Sequence, residues 1–582
     1  MKTSVQNKLA TLMAMLITAT ALAFPSVSSA VTVVTSAADN PVTQPLIPGT
    51  LRHALANAPL NDTIAFAPSL NGKTIILKGG QLVVDRSVTI QGPGLDRLAV
   101  SGGSVSRVFF VSGSLGANVE ISGLTITKGN GTGLGYVDGG AIFNRGVLGV
   151  KRCAITSSRC AGSGGAIYNE GDFREVTDST IAFNNAVGDG GAIWDVQNIL
   201  IQRCAIFSNT AGGSGGGVQE QGTSKFINCT IASNTAAGSG GGINDSGATI
   251  DVYNCTISLN TASVGGGLAV PEFGSSTTLR NTIIAGNNKA GPSTPAPNVS
   301  DMFLNSGSGF LISAGNNLIG STVGALPGSF LPSDQQDVLD PKLGPLKDNG
   351  GITLTMELLP GSPAIDAGNN ASVLASMTSD QRGTFNRIIH GTVDVGAFEY
   401  VAPRDLKNGA LTELSACTVP TGDSETARHL SSAIRNIQKS LAPSLWLDDS
   451  HLKKCGELVF EYEEEAVEAL LDIVGDGGAC ALDAQNAIDD LVLADELLAR
   501  IAITEAITGG GRDRDIASAQ ASLARGVDAL TKGKFHQSMD FFEHAWIDAQ
   551  HSLGRKCGCD DDDEHRERAA RDKEDHDRYG DD

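Results

Sequence analysis

The stretch Gly190-Gly191-Ala192-Ile193-Trp194-Asp195 is one copy of a pattern that recurs about every 25 residues along the chain. Each copy places an apolar residue closely after a pair of glycines, and these residues form one column: Ile142, Ile167, Ile193, Val218, Ile243 and Leu268. A second column keeps the same phase: Ile126, Ile155, Ile181, Ile206, Ile231, Ile257 and Ile283. Two columns that share one period predict stacked units of the same structure.

The repeated segments have the character of short strands. They alternate over very short runs, as in Asn228-Cys229-Thr230-Ile231, with β-branched residues between Gly and Asn turns. A helix would lose roughly 1 kcal/mol at each glycine of Gly215-Gly216-Gly217. About 25 residues suit three strands and three bends, and a rise of about 4.8 Å per coil lets each strand pair with its neighbours. The sequence therefore predicts a mainly β fold, a right-handed parallel β-helix.

The composition changes abruptly near residue 401, from Gly, Ser, Thr and Asn to Ala, Leu, Glu and Asp. Beyond this point apolar residues recur three and four apart, which predicts an α-helical domain. A short amphipathic helix over residues 50–56 is expected to cover the first coil. The predicted segments are a signal peptide (1–30), a parallel β-helix with an N-terminal cap (31–337), a C-terminal β-helix cap (338–400), a linker (401–415), an α-helical domain (416–555) and a charged disordered tail (556–582).

The N-terminus is typical of an export signal. Lys2 and Lys8 precede an apolar run over residues 9–24, and Ser28-Ser29-Ala30 offers small residues for cleavage. We therefore expect a secreted or cell-surface protein with no transmembrane segment after signal cleavage. Cleavage removes two lysines and no acids, so the formal net charge of −22 becomes −24. Such an acidic protein is not expected to bind nucleic acid.

Residues 119–290 resemble the paired short repeats of polymorphic outer-membrane proteins. The segments that carry the resemblance are Gly-Gly-Ala-Ile at 139–142, 164–167 and 190–193, together with Ile181-Ala182-Phe183-Asn184 and Ile206-Phe207-Ser208-Asn209. That family uses such coils as surface-exposed passengers and adhesins, so the resemblance implies a role in adhesion. No membrane barrel is expected to follow the repeats in this chain.

Residues 338–400 resemble the choice-of-anchor Q domain. The matching motifs lie at residues 340–351, 359–368, 380–383, 387 and 393–400. The resemblance implies an exported β-helix protein with a surface-anchoring tail. Opposite charges in the segment are expected to pair while its Pro-Gly turns fold over the last coil: Asp366, Asp380, Arg382, Arg387, Asp394 and Glu399.

Two further columns are expected to be structural. The residues that precede each isoleucine of the second column by two positions are expected to face inward: Leu124, Cys153, Ser179, Cys204, Cys229, Cys255 and Asn281. We expect their thiols to be free and buried, with a metal site as the alternative. A ladder of side-chain amides is formed by Asn184, Asn209, Asn234 and Asn260. Five cysteines follow in the helical region: Cys417, Cys455, Cys480, Cys557 and Cys559. Export permits disulfides between them, but their spacing does not define which cysteines pair.

One column could carry chemistry. It runs two residues beyond the first apolar column through Asn144, Asn169, Asp195, Glu220, Asp245 and Val270. Carboxylates about 5 Å apart repel by roughly 0.8 kcal/mol in water. This repulsion is relieved either by full solvation at a bend or by calcium bound to Asp195, Glu220 and Asp245. By analogy with pectate-lyase-like β-helices, Arg203 or Lys225 would then be the base.

Two functions follow from these patterns. The first is a non-catalytic scaffold for adhesion or carbohydrate binding, whose partners are a polysaccharide or cell-surface glycan and, through the helical domain, a protein. The second is a polysaccharide lyase, epimerase or hydrolase, with calcium as its cofactor. The chain has no histidine between His53 and His390, and this absence favours the first function without excluding carboxylate-based catalysis.

Overall fold

The computed structural model describes residues 31–555, apart from 42, 114–115, 133–134, 290–300, 305–309, 384, 390 and 455. The predicted signal peptide (1–30) and charged tail (556–582) lie outside the described residues. The chain forms two structural units, residues 1–400 and 401–582, and we consider each by itself.

The first unit contains a right-handed parallel β-helix of about nine turns over residues 62–289. Sheet A consists of Val31–Val34, Asp62–Phe66, Val88–Gln91, Asn118–Ser122, Val147–Lys151, Asp172–Thr177, Asn198–Gln202, Thr223–Ile227, Thr249–Tyr253, Ser276–Arg280 and Phe310–Ser313. Sheet B consists of Lys73–Ile76, Leu98–Ser101, Thr125–Thr127, Ala154–Thr156, Thr180–Ala182, Ala205–Phe207, Thr230–Ala232, Thr256–Ser258, Ile283–Ala285 and Leu318–Ile319. The prediction of the fold class is thereby confirmed.

The other two parallel sheets complete each coil. Sheet C consists of Leu82–Val84, Phe109–Val111, Ile142–Asn144, Ile167–Asn169, Ile193–Asp195, Val218–Glu220, Ile243–Asp245, Leu268–Val270 and Met302–Leu304. The short sheet D consists of Arg159–Cys160, Asn185–Ala186, Thr210–Ala211, Thr235–Ala236, Thr261–Ala262 and Asn288–Lys289. Isoleucines of successive coils pair directly, as Ile142 does with Ile167 and Ile167 with Ile193, and all three are fully buried.

The second isoleucine column differs from the prediction at its last member. Ile257 pairs with Ile284, and Ile283 instead pairs with Thr256. The coil that ends here is one residue longer than expected, so the inward column runs through Thr282, which accepts a hydrogen bond from Cys255 N, and not through Asn281. The thiols are buried and aligned as predicted, since Cys204 N donates to Cys229 Sγ at 3.5 Å.

Both ends of the β-helix are covered by its own chain. At the first coil, the helix α1 (Leu51–Asn57) buries Leu51, Ala54 and Leu55 in the common core, as predicted. At the last coil, the segment that follows Leu318–Ile319 packs Ala325, Leu326 and Phe330 against the same core. Residues after Ile319 therefore provide the C-terminal cover.

Residues 338–400 lie along the side of the coils, which corrects the prediction that they fold over the last one. Their antiparallel hairpin (Leu343–Lys347 and Thr355–Leu358) places Leu346 against the outward side chains of Ala182, Ala205 and Phe207 on sheet B. Further along, Thr230 Oγ1 donates to Gln381 Oε1 at 2.6 Å. The outward positions that this segment covers include Ala182, Ala205 and Phe207, so covering them buries apolar surface.

The charged residues of this segment pair in its interior, as predicted for most of them. Arg382 Nη2 lies 2.7 Å from Asp380 Oδ2, and Arg387 Nη2 lies 3.4 Å from Glu399 Oε2, with all four side chains buried. Asp394 accepts from the backbone N–H of Asp366 at 2.7 Å. Burial raises the pKa of Glu399 to about 9, against the Arg387 charge that lowers it. Because Asp380, Arg382, Arg387 and Glu399 are all buried, they are not available to a ligand.

The second unit is helical. Its described helices are α2 (Pro403–Ala416), α3 (Ser424–Ser440), α4 (Glu457–Asp476), α5 (Ala481–Thr508), α6 (Asp513–Thr531) and α7 (Phe535–Ser552). Helix α2 occupies the residues 401–415 predicted as a linker, because Lys407, Ala410 and Leu414 share one face and are buried. A disulfide joins Cys417 to Cys480, with 5.8 Å between their Cα atoms. Among the described helices, none has both the length and the apolar character needed to span a bilayer.

Candidate functional site

The column of predicted metal ligands lies inside the β-helix. Asp195, Glu220 and Asp245 each end a strand of sheet C, and each is 0 % exposed. Because residues i and i+2 of a strand face the same side, these carboxylates point inward with the isoleucines of the first column. The expectation of full solvation at a bend is therefore wrong.

Hydrogen bonds connect this column from coil to coil. Asn144 Nδ2 donates to Asn169 Oδ1 at 2.6 Å, and Asn169 in turn donates to Asp195. Ser224 Oγ donates to Glu220 Oε2 at 2.5 Å, and Thr277 Oγ1 donates to Asp245 Oδ2 at 2.7 Å. The column thus continues as a buried ladder of polar side chains that we call the carboxylate ladder: Asn144, Asn169, Asp195, Glu220 and Asp245.

The protonation of the carboxylate ladder follows from its burial. Burial raises the pKa of Asp195 to about 6. The hydrogen bonds from Asn169 and Gln197 lower this pKa, but by less than burial raises it. Burial also raises the pKa of Glu220 well above its usual value, and the neighbouring Asp195 charge adds to the shift. The pKa of Asp245 is likewise raised by burial. Burial therefore favours the protonated form of all three carboxyl groups.

The proposed bases lie elsewhere. Arg203 forms an ion pair with Asp178, with 2.6 Å between Nε and Oδ1. Lys225 is exposed on sheet A, where it pairs in register with Leu200 and Asp251. Neither side chain belongs to the strands of sheet C that carry the carboxylate ladder.

The outward side of sheet C carries a different kind of surface. Aromatic residues directly after an inward Ile, or after the inward Phe109, point outward, and one loop residue joins this set. We call it the aromatic ladder: Phe110, Tyr136, Phe143, Tyr168 and Trp194. The ring centroids of Phe143 and Tyr168 are 4.9 Å apart, and those of Tyr168 and Trp194 are 4.2 Å apart with an angle of 1° between the planes. Phe110, Tyr168 and Trp194 are partly exposed, and Tyr136 is 44 % exposed.

Polar groups border the aromatic ladder. The Arg145 guanidinium lies 4.3 Å from the ring centroid of Tyr136, and its Nε donates to Glu170 Oε2 at 2.8 Å. Glu170 Oε1 also accepts from the Tyr168 hydroxyl at 3.4 Å. Burial and the Asp138 and Glu170 charges raise the pKa of Tyr168, so its hydroxyl stays protonated and can donate a hydrogen bond.

A buried arginine fixes the loop that supplies Tyr136. Arg107 is 0 % exposed, and its Nη2 donates to the carbonyls of Tyr136 and Asp138 at 2.7 and 2.6 Å. Its Nε donates to Gly139 O at 2.7 Å. Since a buried guanidinium needs several acceptors, these bonds hold the loop against Phe143 and keep the aromatic ladder in one arrangement.

The sequence analysis did not identify the aromatic ladder, although the signal was present. Phe143, Tyr168 and Trp194 each follow a member of the first isoleucine column by one residue, at the repeat period. Alternation along a strand therefore places them outward and in register. Tyr136, which comes from a loop, and Phe110, which lies 33 residues before Phe143, could not be placed by this periodicity.

The comparisons with known proteins agree with this architecture. Residues 108–288 match a family model described as right handed beta helix region. This range contains both the aromatic ladder and the carboxylate ladder. No curated protein and no solved structure matches the chain.

Proposed function

We propose that this protein binds carbohydrate outside the cell through the aromatic ladder of sheet C. The observation that carries the proposal is the stack of aromatic rings beside Arg145 and Glu170, in which Phe143 is buried and the other four rings are partly exposed. A sugar ring has apolar C–H faces and polar hydroxyls, and aromatic side chains with adjacent hydrogen-bonding groups suit both. Repetition over successive coils would let a polysaccharide chain make several such contacts at once.

The alternative of a polysaccharide lyase, epimerase or hydrolase has less support. Such an enzyme needs ionisable groups within reach of its substrate. Asp195, Glu220 and Asp245 are buried inside the coils, and the proposed bases Arg203 and Lys225 lie away from them. A non-catalytic scaffold for adhesion or carbohydrate binding therefore accounts better for the arrangement.

Export and anchoring complete the proposal. The N-terminal pattern of residues 1–30 supports secretion, and the resemblance of residues 338–400 to the choice-of-anchor Q domain supports attachment at the cell surface. We propose that the helical unit contacts a protein partner that holds the β-helix there. N-terminal sequencing of the mature protein and fractionation of cells that express it test this part separately from glycan binding.

The test uses the mature chain on an array of acidic and neutral polysaccharides, with and without calcium. Polysaccharides that bind are then titrated by calorimetry against wild type, Trp194→Ala and Tyr168→Ala. We expect each variant to weaken binding about tenfold, which corresponds to about 1.4 kcal/mol. Phe273→Ala is the matched control, because Phe273 is 86 % exposed and lies outside the aromatic ladder.

Three outcomes would count against the proposal. These are no polysaccharide bound by the wild type, equal affinity for wild type and Trp194→Ala, or an equal loss in the Phe273→Ala control. The same incubations are analysed for new reducing ends and unsaturated sugars. Product formation that is lost in Asp195→Ala, Glu220→Ala or Asp245→Ala would establish the enzyme instead.

A further inference from the structure

A cleft of about 570 Å³ opens on the helical unit. Its lining comes from the segment before α4, from α5, from α7 and from Arg555, so this unit forms the cleft by itself. Its most buried lining residues include Leu452, Leu498, Ala502 and Trp546, each less than a tenth exposed. A concave site of this volume with an apolar interior is typical of sites that bind small organic molecules.

Four charged groups that line the cleft balance one another. His451 Nδ1 lies 2.8 Å from Asp448 Oδ1, and His451 Nε2 lies 3.2 Å from Glu505 Oε1. Arg555 Nη1 lies 3.1 Å from Glu505 Oε2. The hydrogen bond to Glu505 and the contact with Asp448 raise the pKa of His451 to about 9, against burial, which lowers it. Two cations thus face two carboxylates, and their charges cancel.

Two hydrogen-bond donors of the lining have no acceptor among the described residues. Trp546 is 3 % exposed and its indole N–H has no partner there, whereas Trp446, the other buried tryptophan of the unit, donates to Ser440 O at 2.7 Å. Gln550 is 8 % exposed; its Oε1 accepts from Arg555 Nη1 at 3.0 Å, and its Nε2 has no described acceptor.

Both donors are available to a molecule in the cleft. Trp546 and Gln550 lie four residues apart on α7, so they share one face of that helix. Both side chains line the cleft, and neither nitrogen is sealed off from the open space. An N–H group on a buried side chain that lacks an acceptor costs free energy, which a ligand oxygen would recover.

One cation of the lining adds a charge that no described carboxylate pairs with. Lys453 Nζ donates to the carbonyl of Pro443 at 2.9 Å and forms no ion pair within the described part of the chain. The oxygens of Asp448 and Glu505 already accept from His451 and Arg555. The lining therefore offers a ligand N–H donors and positive charge.

We propose that this cleft binds a small monocarboxylate with an apolar chain or ring. The apolar body packs against Leu498, Ala502 and the Trp546 ring, while the carboxylate accepts from Trp546 Nε1 and Gln550 Nε2 and faces the charge of Lys453. A carboxylate has two acceptor oxygens and no donor, which matches a lining whose unused groups are donors. This site is separate from the aromatic ladder and does not depend on glycan binding.

The experiment titrates the mature full-length chain with sodium octanoate in a calorimeter, and with 1-octanol as the uncharged probe of the same chain length. We expect one octanoate site per chain and weaker binding of 1-octanol. Trp546→Phe, which keeps a ring beside Phe460, and Lys453→Met should each weaken octanoate binding by about tenfold, as the loss of one contact to a charged group predicts. Lys532→Met is the matched control, because Lys532 pairs with Asp528 outside the cleft.

Fluorine NMR of the chain labelled with 5-fluorotryptophan gives a second readout. The chain has three tryptophans, Trp194, Trp446 and Trp546, and the resonance of Trp546 is the one absent from Trp546→Phe. Octanoate should shift this resonance and leave that of Trp194 unchanged. Lys453 is exposed, so Lys453→Met keeps the test decisive if Trp546→Phe does not fold.

Four results would overturn the proposal. These are no octanoate bound by the wild type, equal affinity for octanoate and 1-octanol, octanoate affinity unchanged in Lys453→Met and in folded Trp546→Phe, or an equal loss in the Lys532→Met control. Octanoate binding that appears only in a chain ending at Arg555 would also overturn it and would assign the cleft to the acidic residues 560–563 of the same chain.

Discussion

The carboxylate ladder predicts an unusual dependence of stability on pH. The pKa of Asp195 is about 6 in the folded protein, against an ordinary value of 3.8. Folding therefore favours the protonated form, so its contribution to stability is complete below about pH 4 and is lost as pH rises to about 6. The difference of about 2.2 units corresponds to roughly 3 kcal/mol, which remains lost at higher pH.

The substitution Asp195→Asn removes this ionisation with little change in shape. Asn144 and Asn169 already occupy the two preceding positions of the ladder. The new amide can still accept from Asn169, and it can donate to Glu220, whose side chain is already within hydrogen-bonding reach of Asp195. It gives up the 3.2 Å bond from Gln197 N, at a cost of about 1 kcal/mol. We expect a net gain of about 2 kcal/mol at pH 7.

The assay is urea unfolding followed by the sheet signal in circular dichroism, at steps between about pH 4 and pH 8. The wild type should lose free energy of unfolding across this range, and Asp195→Asn should lose less. Asp172→Asn, at an exposed position of sheet A, should follow the wild-type profile. Parallel profiles for wild type and Asp195→Asn, or a variant less stable at pH 7, would refute the reasoning.

Three further predictions concern other parts of the molecule. Calcium on Asp195, Glu220 and Asp245 must compete with protons on carboxyl groups whose pKa values are raised, that of Asp195 to about 6. A calcium-induced rise in melting temperature should therefore grow above about pH 6, and a melting temperature that does not change with millimolar calcium at about pH 9 would exclude the site. Asn234→Ala removes the bonds to Asn209 and Asn260 and should destabilise the β-helix by about 3 kcal/mol in urea unfolding, whereas exposed Thr235→Ala should not. Lys407→Met leaves Glu463 and Asp495 buried without their cation. The free energy of unfolding of the helical unit, followed by circular dichroism at 222 nm, should then fall by about 3–5 kcal/mol. An unchanged unfolding curve would contradict this account.

The sequence contains the period of the solenoid because stacking makes every coil repeat the same environment. The columns through Ile193 and Ile206 could therefore be assigned from spacing alone. Spacing could not show that Ile284, and not Ile283, continues the second column. One inserted residue shifts the inward face of the strand without altering the composition. Alternation, applied to Asp195, would have placed it inside with Ile193. Its charge favours a solvated position, but in the structure the register of the strand prevails and Asp195 is buried.

For residues 338–400, the sequence predicted the character of the segment but not the surface on which it packs. Their motifs indicated a compact, turn-rich segment with paired charges, which the buried pair of Arg382 and Asp380 bears out. Where the segment docks depends on the shape of a distant surface, and no local pattern specifies it. The outward residues of sheet B gave only a partial signal, because alanines such as Ala205 and Ala232 alternate with hydroxyl residues such as Thr230.

A comparison of the outward faces of sheets A, B and C indicates which surface of the β-helix is open to a ligand. From the coil of Ala182 onward, sheet B is covered by residues 338–400, and Ile283 and Ala285 are fully buried beneath them. Sheet A presents charges that satisfy one another, as Lys151 does with Glu120 and Glu175. Sheet C keeps partly exposed aromatic rings such as Tyr168 and Trp194, which cost free energy in water unless a partner covers them. The chain buries one apolar face with its own residues and leaves the aromatic one open, and that difference favours recognition by sheet C.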